Sequence, residues 1–194
     1  LQNRGILSQS RNVFIEMDFP DDADYEKDYI SAYRDYVVEN DEFHDYLAKF
    51  ISTLKGRTLV LVEWKDHGVA LSQRVPGMLW ISGEDKKDYR REVREQLRNA
   101  PQLNVCSTKI FGTGMDIYVH NVINLSGGAS DIELTQKFGR GLRLASDKDI
   151  ALYVDIYWKI HKDLEKHSEA RIKELQRMKH KVEIYSSFEE AGLL

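Results

Sequence analysis

Two arginines, a glutamine and a glycine stand close together late in this 194-residue chain. They are Gln136, Gly139, Arg140 and Arg143. Residues three apart lie on one side of a helical turn, so both guanidinium groups can reach the same ligand. Guanidinium groups bind phosphate oxygens through paired hydrogen bonds and neutralise the charge that develops during phosphoryl transfer. The spacing therefore predicts contact with the γ-phosphate of a nucleoside triphosphate.

The residues before the arginines predict how they are positioned. Ser130 and Glu133 have the spacing of a capping box, so a helix should begin at Ser130 and carry Gln136. The arginines would follow at the end of that helix and point toward a neighbouring site. The two glycines before Ser130 lack the glycine-lysine-serine or threonine ending of a phosphate loop, and we interpret them as a plain loop.

The four fixed positions resemble the sixth conserved motif in the second motor domain of superfamily 2 helicases and translocases. That motif reads glutamine, two residues, glycine, arginine, two residues, arginine. The resemblance implies that Arg140 and Arg143 act on ATP as arginine fingers, with Gln136 as a third catalytic residue. It also implies ATP with Mg as the cofactor. Glutamine at position 136, where RNA-remodelling DEAD-box proteins usually have histidine, favours DNA and a likeness to repair- and phage-type helicases.

A segment rich in small residues follows a predicted strand at 103–108. Glycines in such a segment let backbone amides approach a ligand closely. It is similar to the fifth motif of the same family. The resemblance implies that Thr108 contacts the nucleic-acid backbone and that Gly114 and Asp116 lie near the nucleotide. Tyr118 stands where many relatives have proline, so this loop departs from the family pattern.

Two further strand ends resemble sites of contact with the sugar-phosphate backbone. Residues 59–68 are similar to the fourth motif, and Lys65 is its candidate contact. Residues 81–84 are similar to the next strand end, and the candidates there are Ser82, Gly83 and, further on, Arg90. An ordinary role as a surface turn residue is an equally good reading for Lys65 and Arg90.

Short apolar runs alternate with helical patterns from residue 58 onward. The runs predict strands at 58–64, 78–82, 103–108, 121–125 and 151–158, with helices at 67–74 and 86–99 between them. Such alternation implies a parallel sheet covered on both faces, with ligands at the carboxyl ends of the strands. The expected fold class is α/β, a RecA-like three-layer sandwich with a mainly parallel central sheet.

The flanking segments predict additions to this domain, which spans 56–158. Residues 1–55 contain a strand at 13–19 and aromatic residues at helical spacing with a break near Asn40, interpreted as a lead-in packed on the domain. Residues 159–194 are interpreted as an amphipathic helix at 159–181 and a tail. Docking of that helix on its own domain is favoured over contact with nucleic acid or a partner.

The chain contains no Walker A loop and no Asp-Glu box of the kind that holds magnesium. We therefore expect the phosphate loop and metal ligands on an N-terminal RecA-like motor domain, in cis or in trans, and expect this chain alone to be inactive. The predicted function is the C-terminal half of an ATP-dependent helicase or translocase. The alternatives are a stand-alone, non-catalytic binding or regulatory module with a helicase fold, and the motor of a translocase that moves on duplexes without unwinding them.

The composition of the chain limits the kinds of partner and compartment that we expect for it. The net charge of −4 argues against coating nucleic acid by bulk attraction, so contacts with single strands or duplexes should be local. No apolar run suggests a membrane span or a signal peptide, which predicts a soluble, cytoplasmic protein. The first residue is Leu1, which suggests a piece of a longer polypeptide. The single Cys106 is expected in a buried strand, and no metal site is expected from the six histidines.

Overall fold

The computed structural model describes residues 9–18, 27–108, 119–128 and 150–194. The strands there are β1 (Gln9–Met17), β2 (Arg57–Val62), β3 (Leu79–Ile81), β4 (Leu103–Thr108), β5 (Asn121–Asn124), β6 (Ile150–Trp158) and β7 (Val182–Tyr185). The helices are α1 (Tyr29–Tyr33), which continues as a π turn (Arg34–Val38), α2 (Asp41–Thr53), α3 (Lys65–Arg74), α4 (Lys87–Asn99) and α5 (Lys162–Arg177).

These strands form a single seven-stranded sheet in the order β3-β4-β2-β5-β6-β1-β7. Every pairing within the described residues is parallel. The five strands predicted between 58 and 158 are present, and the α/β, RecA-like prediction is confirmed. The sheet takes β1 from the predicted lead-in and β7 from the predicted tail, so all three predicted segments contribute strands to it.

Helices cover both faces of the sheet because the strands are apolar on both. Alternate residues of a strand point to opposite faces. Val60 and Val62 of β2 pack in one buried cluster with α1, α2 and α3. Leu59 and Leu61 pack in a second cluster with α4 and α5. All six residues of β2 are buried, as expected for a central parallel strand.

Side-chain caps explain where the first helices begin. Oδ1 of Asp28 accepts hydrogen bonds from the backbone N–H groups of Ile30 (3.0 Å) and Ser31 (3.1 Å) at the start of α1. Oδ1 of Asn40 accepts from the N–H of Phe43 at 2.9 Å at the start of α2. Each cap satisfies backbone donors that lack a partner within the helix. The predicted break near Asn40 is confirmed, and Asn40 is its cause.

The C-terminal helix is shorter than the sequence predicts. α5 ends at Arg177, and Lys179 has a left-handed backbone with φ of 65°. The N–H of His180 donates to the carbonyl of Leu175 (3.0 Å), and that of Lys179 donates to Gln176 (2.9 Å). This pattern is a Schellman motif, which normally carries glycine at the position of Lys179. The chain then turns into β7, which the sequence analysis did not predict.

The residues after β7 return to α2. The ring of Phe188 stacks on Phe50 with centroids 4.0 Å apart, and its backbone N–H donates to the hydroxyl of Tyr46 at 3.0 Å. Nη2 of Arg11 on β1 donates to the carbonyl of Ala191 at 2.8 Å. The tail therefore packs on its own domain, against both α2 and the sheet.

Two buried histidines stack on each other where α2 meets α3. The ring centroids of His44 and His67 lie 5.1 Å apart, with an interplanar angle of 21°. Neither ring nitrogen of His67 has a hydrogen-bond partner within the described ranges. Burial lowers the pKa of His67 to about 3, with a smaller effect from His44. Burial also lowers the pKa of His44; nearby Arg74 acts in the same direction, while Asp41 and Asp45 oppose it.

This histidine pair predicts acid sensitivity. Both rings have a lowered pKa in the folded chain and take up a proton more readily when unfolded, so stability is full above pH 6.5 and falls below it. At pH 5, His67 alone should cost about 2 kcal/mol of the free energy of unfolding. Urea unfolding between pH 7 and pH 5 measures this, with His67→Phe as a ring of similar shape that does not titrate. Identical pH slopes for the two proteins would contradict the prediction.

Candidate nucleic-acid interface

Three neighbouring strands end level with one another at the carboxyl edge of the sheet. Val62 of β2 is opposite Thr108 of β4, and Ile81 of β3 is opposite Ser107. Ser82 therefore comes level with Thr108. Adjacent strands are about 4.8 Å apart, so the ends of β3, β4 and β2 span about 10 Å. The structure thus brings the predicted contacts Ser82, Gly83, Thr108 and Lys65 to one edge, where open α/β sheets bind ligands.

Thr108 ends β4 with a hydroxyl that the described residues leave without a hydrogen-bond partner. Its Oγ1 is buried and has no hydrogen-bond partner within the described ranges. The neighbouring Ser107 is satisfied, because its Oγ donates to the carbonyl of Thr108 at 2.8 Å. A buried hydroxyl without a partner is costly, and a phosphate oxygen would satisfy it. This geometry suits the backbone contact predicted for Thr108.

Ser82 is engaged within a tight turn. Its backbone N–H and its Oγ lie 2.6 and 3.1 Å from Oδ2 of Asp85, and its Oγ accepts from the N–H of Glu84 at 3.3 Å. The hydroxyl is therefore committed to the turn, which leaves the exposed backbone at Gly83 as the accessible part. The sequence analysis missed Asp85, whose spacing of three residues from Ser82 is the signal for such a turn.

Lys65 begins α3 and forms an ion pair with Glu84 across the strand ends. The two side chains are 53% and 74% exposed. The hydrogen bond to Glu84 raises the pKa of the Lys65 ammonium, so the lysine is charged at neutral pH. Ion pairs this exposed contribute little to stability because water competes for both charges. A phosphate can therefore displace Glu84 from Lys65 at small cost.

Arg90 lies one turn into α4 and differs from Arg91 and Arg98 on the same helix. Its Nε is buried without a hydrogen-bond partner, and no carboxylate in the described part of the chain pairs with it. In contrast, Arg91 pairs with Asp88 at 3.0 Å and Arg98 pairs with Glu95 at 3.3 Å. Arg90 therefore keeps its charge available for a ligand, while Arg91 and Arg98 are neutralised on their own helix.

The side chains of Arg34 and Trp64 are in contact beside this edge, and the sequence analysis did not predict this contact. The guanidinium of Arg34 lies 5.2 Å from the ring centroid of Trp64, which links β2 to α3. Tyr33 packs against the same indole, with centroids 6.0 Å apart. Aromatic rings and guanidinium planes are the groups on which unpaired bases stack. Arg34 is far from Trp64 in sequence, so only the fold brings them together.

A buried polar network lies beneath the loop that follows β5. Asp155 and Arg171, both fully buried, form two hydrogen bonds of 2.9 Å. Tyr153 and Asn124 also donate to Asp155, at 2.7 and 3.1 Å. The last residue of β5, Asn124, is opposite Asp155 of β6. After that point, Arg171 and Ser168 of α5 form hydrogen bonds with the backbone of Ile156 and Trp158 in β6. α5 thus satisfies backbone groups of β6 that β5 does not reach.

The remaining predicted site residues are Gln136, Arg140, Arg143, Gly114 and Asp116, and they lie outside the described residues. The described geometry therefore concerns the nucleic-acid side of the predicted site. Across the described ranges, no group of three or more histidine, cysteine, aspartate or glutamate side chains could hold a metal ion. No helix in those ranges is long and apolar enough to cross a membrane. Burial raises the pKa of the Cys106 thiol, as expected for a residue inside β4.

Comparison with solved structures identifies the fold. UvsW of phage T4 matches with a TM-score of 0.69 at 18% identity, over 91% of this chain and 41% of that chain. The C-terminal domain of the DEAD-box protein Dbp5 matches with a TM-score of 0.58 at 14% identity, over 95% of this chain and 94% of that domain. S. cerevisiae Dbp5 bound to RNA and ADP BeF3 matches with a TM-score of 0.64 at 11% identity, over 100% and 46%. The chain thus shares the α/β, RecA-like fold of these solved structures, including the C-terminal domain of Dbp5.

One curated protein matches in sequence. It is the "Putative helicase 22" of a Sulfolobus islandicus filamentous virus, 31% identical over 80 residues. The match covers 41% of this chain and 14% of the viral protein. The chain therefore spans less than half of UvsW and a small part of the viral protein. No protein-family model matches the chain.

Proposed function

We propose that this chain is the C-terminal half of an ATP-dependent nucleic-acid helicase or translocase. The observation that carries the proposal is that Ser82 and Thr108 lie level on adjacent strand ends, with Lys65 at the start of α3 three residues after the end of β2. The helicase-type fold of the neighbours supports the same class of activity. Glutamine at position 136 favours DNA over RNA as the substrate.

In this proposal, the carboxyl edge holds the backbone of a single strand. Thr108 donates its hydroxyl to one phosphate, and the exposed backbone at Gly83 lies beside the next. Lys65 and Arg90 supply positive charge on either side. Bases stack on the Arg34 and Trp64 pair, which needs no particular sequence. Asp85 and Glu84 lie among these groups, so binding depends on placed contacts and not on bulk charge.

ATP with Mg is proposed to bind between this chain and an N-terminal RecA-like domain. The phosphate loop and metal ligands would come from that domain. Gln136, Arg140 and Arg143 would complete the site from this chain, with Gly114 and Asp116 beside the nucleotide. Domain closure would then couple the nucleotide to the strand contacts at Thr108 and Gly83.

Salt dependence of strand binding tests the proposed interface. The chain should bind a fluorescent single-stranded oligonucleotide, and Arg90→Gln should remove one phosphate contact. The slope of log affinity against log salt should then fall by about 0.7. The matched control is Arg91→Gln, which removes an arginine already paired with Asp88 and should leave the slope unchanged. Anisotropy titrations over a range of salt concentrations measure both slopes.

Two outcomes of this titration would overturn the proposed interface. Equal slopes for Arg90→Gln and wild type would remove Arg90 from the strand contact. No binding at any salt concentration, with or without the N-terminal domain, would remove nucleic acid as the partner. Strand affinity that is unaffected by the N-terminal domain and a nonhydrolysable nucleotide would instead support the stand-alone binding module.

A further inference from the structure

The segment 125–128, which follows β5, is buried although it is a loop. Loops normally run over the surface, because buried backbone groups need partners. Here the partners come from other elements. The N–H of Leu125 donates to the carbonyl of Leu61 at 2.8 Å. The hydroxyl of Tyr33 on α1 donates to the carbonyl of Leu125 at 2.7 Å.

Asn124 fixes the next residue of this loop. Its Oδ1 accepts hydrogen bonds from the backbone N–H (3.3 Å) and the Oγ (2.7 Å) of Ser126. Its Nδ2 donates to Asp155 at 3.1 Å, and Arg171 holds that carboxylate in place. The amide of Asn124 therefore links the loop to the buried ion pair and cannot rotate without breaking these bonds.

The third attachment is at Gly127. Nδ1 of His167 on α5 lies 2.9 Å from the carbonyl oxygen of Gly127, so this nitrogen carries a proton and donates it. A Cβ atom at Gly127 would stand 2.3 Å from Cδ2 of Leu164 and 3.1 Å from Cε2 of Tyr33. Only glycine fits between these side chains, which keeps α1 and α5 in close contact with the backbone.

We propose that Tyr33, Asn124 and His167 are positioning residues for the motor. They fix residues 125–127 at the carboxyl edge, and the Gln136–Arg143 motif follows these residues in sequence. This inference rests on the proposed function. Groups that stabilise a transition state must be held within a fraction of an ångström, and misplacement by about 1 Å can cost a hundredfold in rate. Three attachments from three elements are more than a connecting loop requires.

Two tyrosines offer a matched test. Tyr33 and Tyr46 each donate a side-chain hydrogen bond of 2.7 Å. Tyr33 bonds to Leu125 of the loop, whereas Tyr46 bonds to Glu189 and accepts from the N–H of Phe188 in the C-terminal tail. In a complete motor that contains this chain, Tyr33→Phe should lower the kcat for ATP about tenfold with little change in KM. Tyr46→Phe removes hydrogen bonds that hold the tail to α2, so it should lower the melting temperature but leave kcat within about twofold.

Combination with Arg143→Ala separates positioning from general destabilisation. If Tyr33 acts through the arginines, Tyr33→Phe should add no further loss to Arg143→Ala. The serine pair provides a second comparison, because Ser126→Ala removes a bond within the loop and Ser168→Ala removes bonds only to α5 and β6. We expect Ser126→Ala to lower kcat and Ser168→Ala to spare it.

Two results would overturn the inference. Equal losses of kcat in the loop variants and their controls would assign these residues to stability alone. An unchanged kcat in both Tyr33→Phe and Ser126→Ala would also show that these residues do not position the catalytic groups. If Arg143→Ala itself leaves kcat unchanged, the proposed function fails and this inference fails with it. If Arg143→Ala has a large effect but Tyr33→Phe and Ser126→Ala do not change kcat, only the positioning role is rejected.

Discussion

Arg143→Ala in a complete motor should lower the rate of ATP hydrolysis by about a thousandfold or more while ATP binding is nearly unchanged. The γ-phosphate gains its extra charge only in the transition state, so an arginine aimed at it stabilises that state more than bound ATP. The loss should therefore appear in kcat. Steady-state hydrolysis with saturating nucleic acid, together with a direct ATP-binding titration, measures the two effects separately.

Two further variants sharpen this prediction. Arg143→Lys keeps the charge but loses the planar pair of donors, so it should recover only part of the rate. Arg98→Ala removes an exposed arginine that pairs with Glu95 on α4, and it should hydrolyse ATP at the wild-type rate. Turnover near wild type in Arg143→Ala would remove this residue from the proposed catalytic site.

The strands were the part of the fold most open to prediction from sequence. β2 and β4 are short apolar runs bounded by polar residues, and a strand inside a parallel sheet has no other way to bury both faces. Their carboxyl ends could also be predicted to share an edge, because parallel strands point the same way. This is why Lys65, Ser82 and Thr108 could be grouped before any contact was known.

The end of α5 and the strand β7 could not be predicted for a local reason. The helical pattern continues in sequence past Arg177, and the left-handed residue that stops the helix is Lys179, where glycine would be the usual signal. β7 is only four residues long and half-buried, so it carries little alternation. It pairs with β1, far away in sequence, and the sheet edge decides its conformation.

The side-chain contacts of the candidate site could not be predicted from sequence either. The sequence places Ser82 at a strand end, but its hydroxyl is turned toward Asp85 by a local turn. The contact between Arg34 and Trp64, and that between Tyr33 and Leu125, depend on how α1 crosses the sheet. Such long-range contacts leave no periodic signal in the chain. They are visible only when the packing of the helices is known.

The buried pair of Asp155 and Arg171 carries the largest expected effect on stability. Asp155→Ala should lower the free energy of unfolding by about 3–5 kcal/mol, because it leaves a buried guanidinium without its counter-charge. Tyr153 and Asn124 lose an acceptor as well. Urea unfolding at pH 7 measures the change. The control is Lys173→Met, which breaks an exposed ion pair with Glu169 on the same helix and should leave stability nearly unchanged.

A double variant shows whether the loss of stability in Asp155→Ala comes from the unpaired charge or from the loss of the ion pair itself. Replacing both charges, with Asp155→Leu and Arg171→Met, removes the uncompensated charge and should restore most of the stability lost in Asp155→Ala. The double variant should nevertheless lose activity in the motor, since Asn124 would no longer be held by Asp155. A double variant no more stable than Asp155→Ala would show that the pair is needed for stability itself. Full stability with full activity would show that the network has no role in positioning the loop after β5.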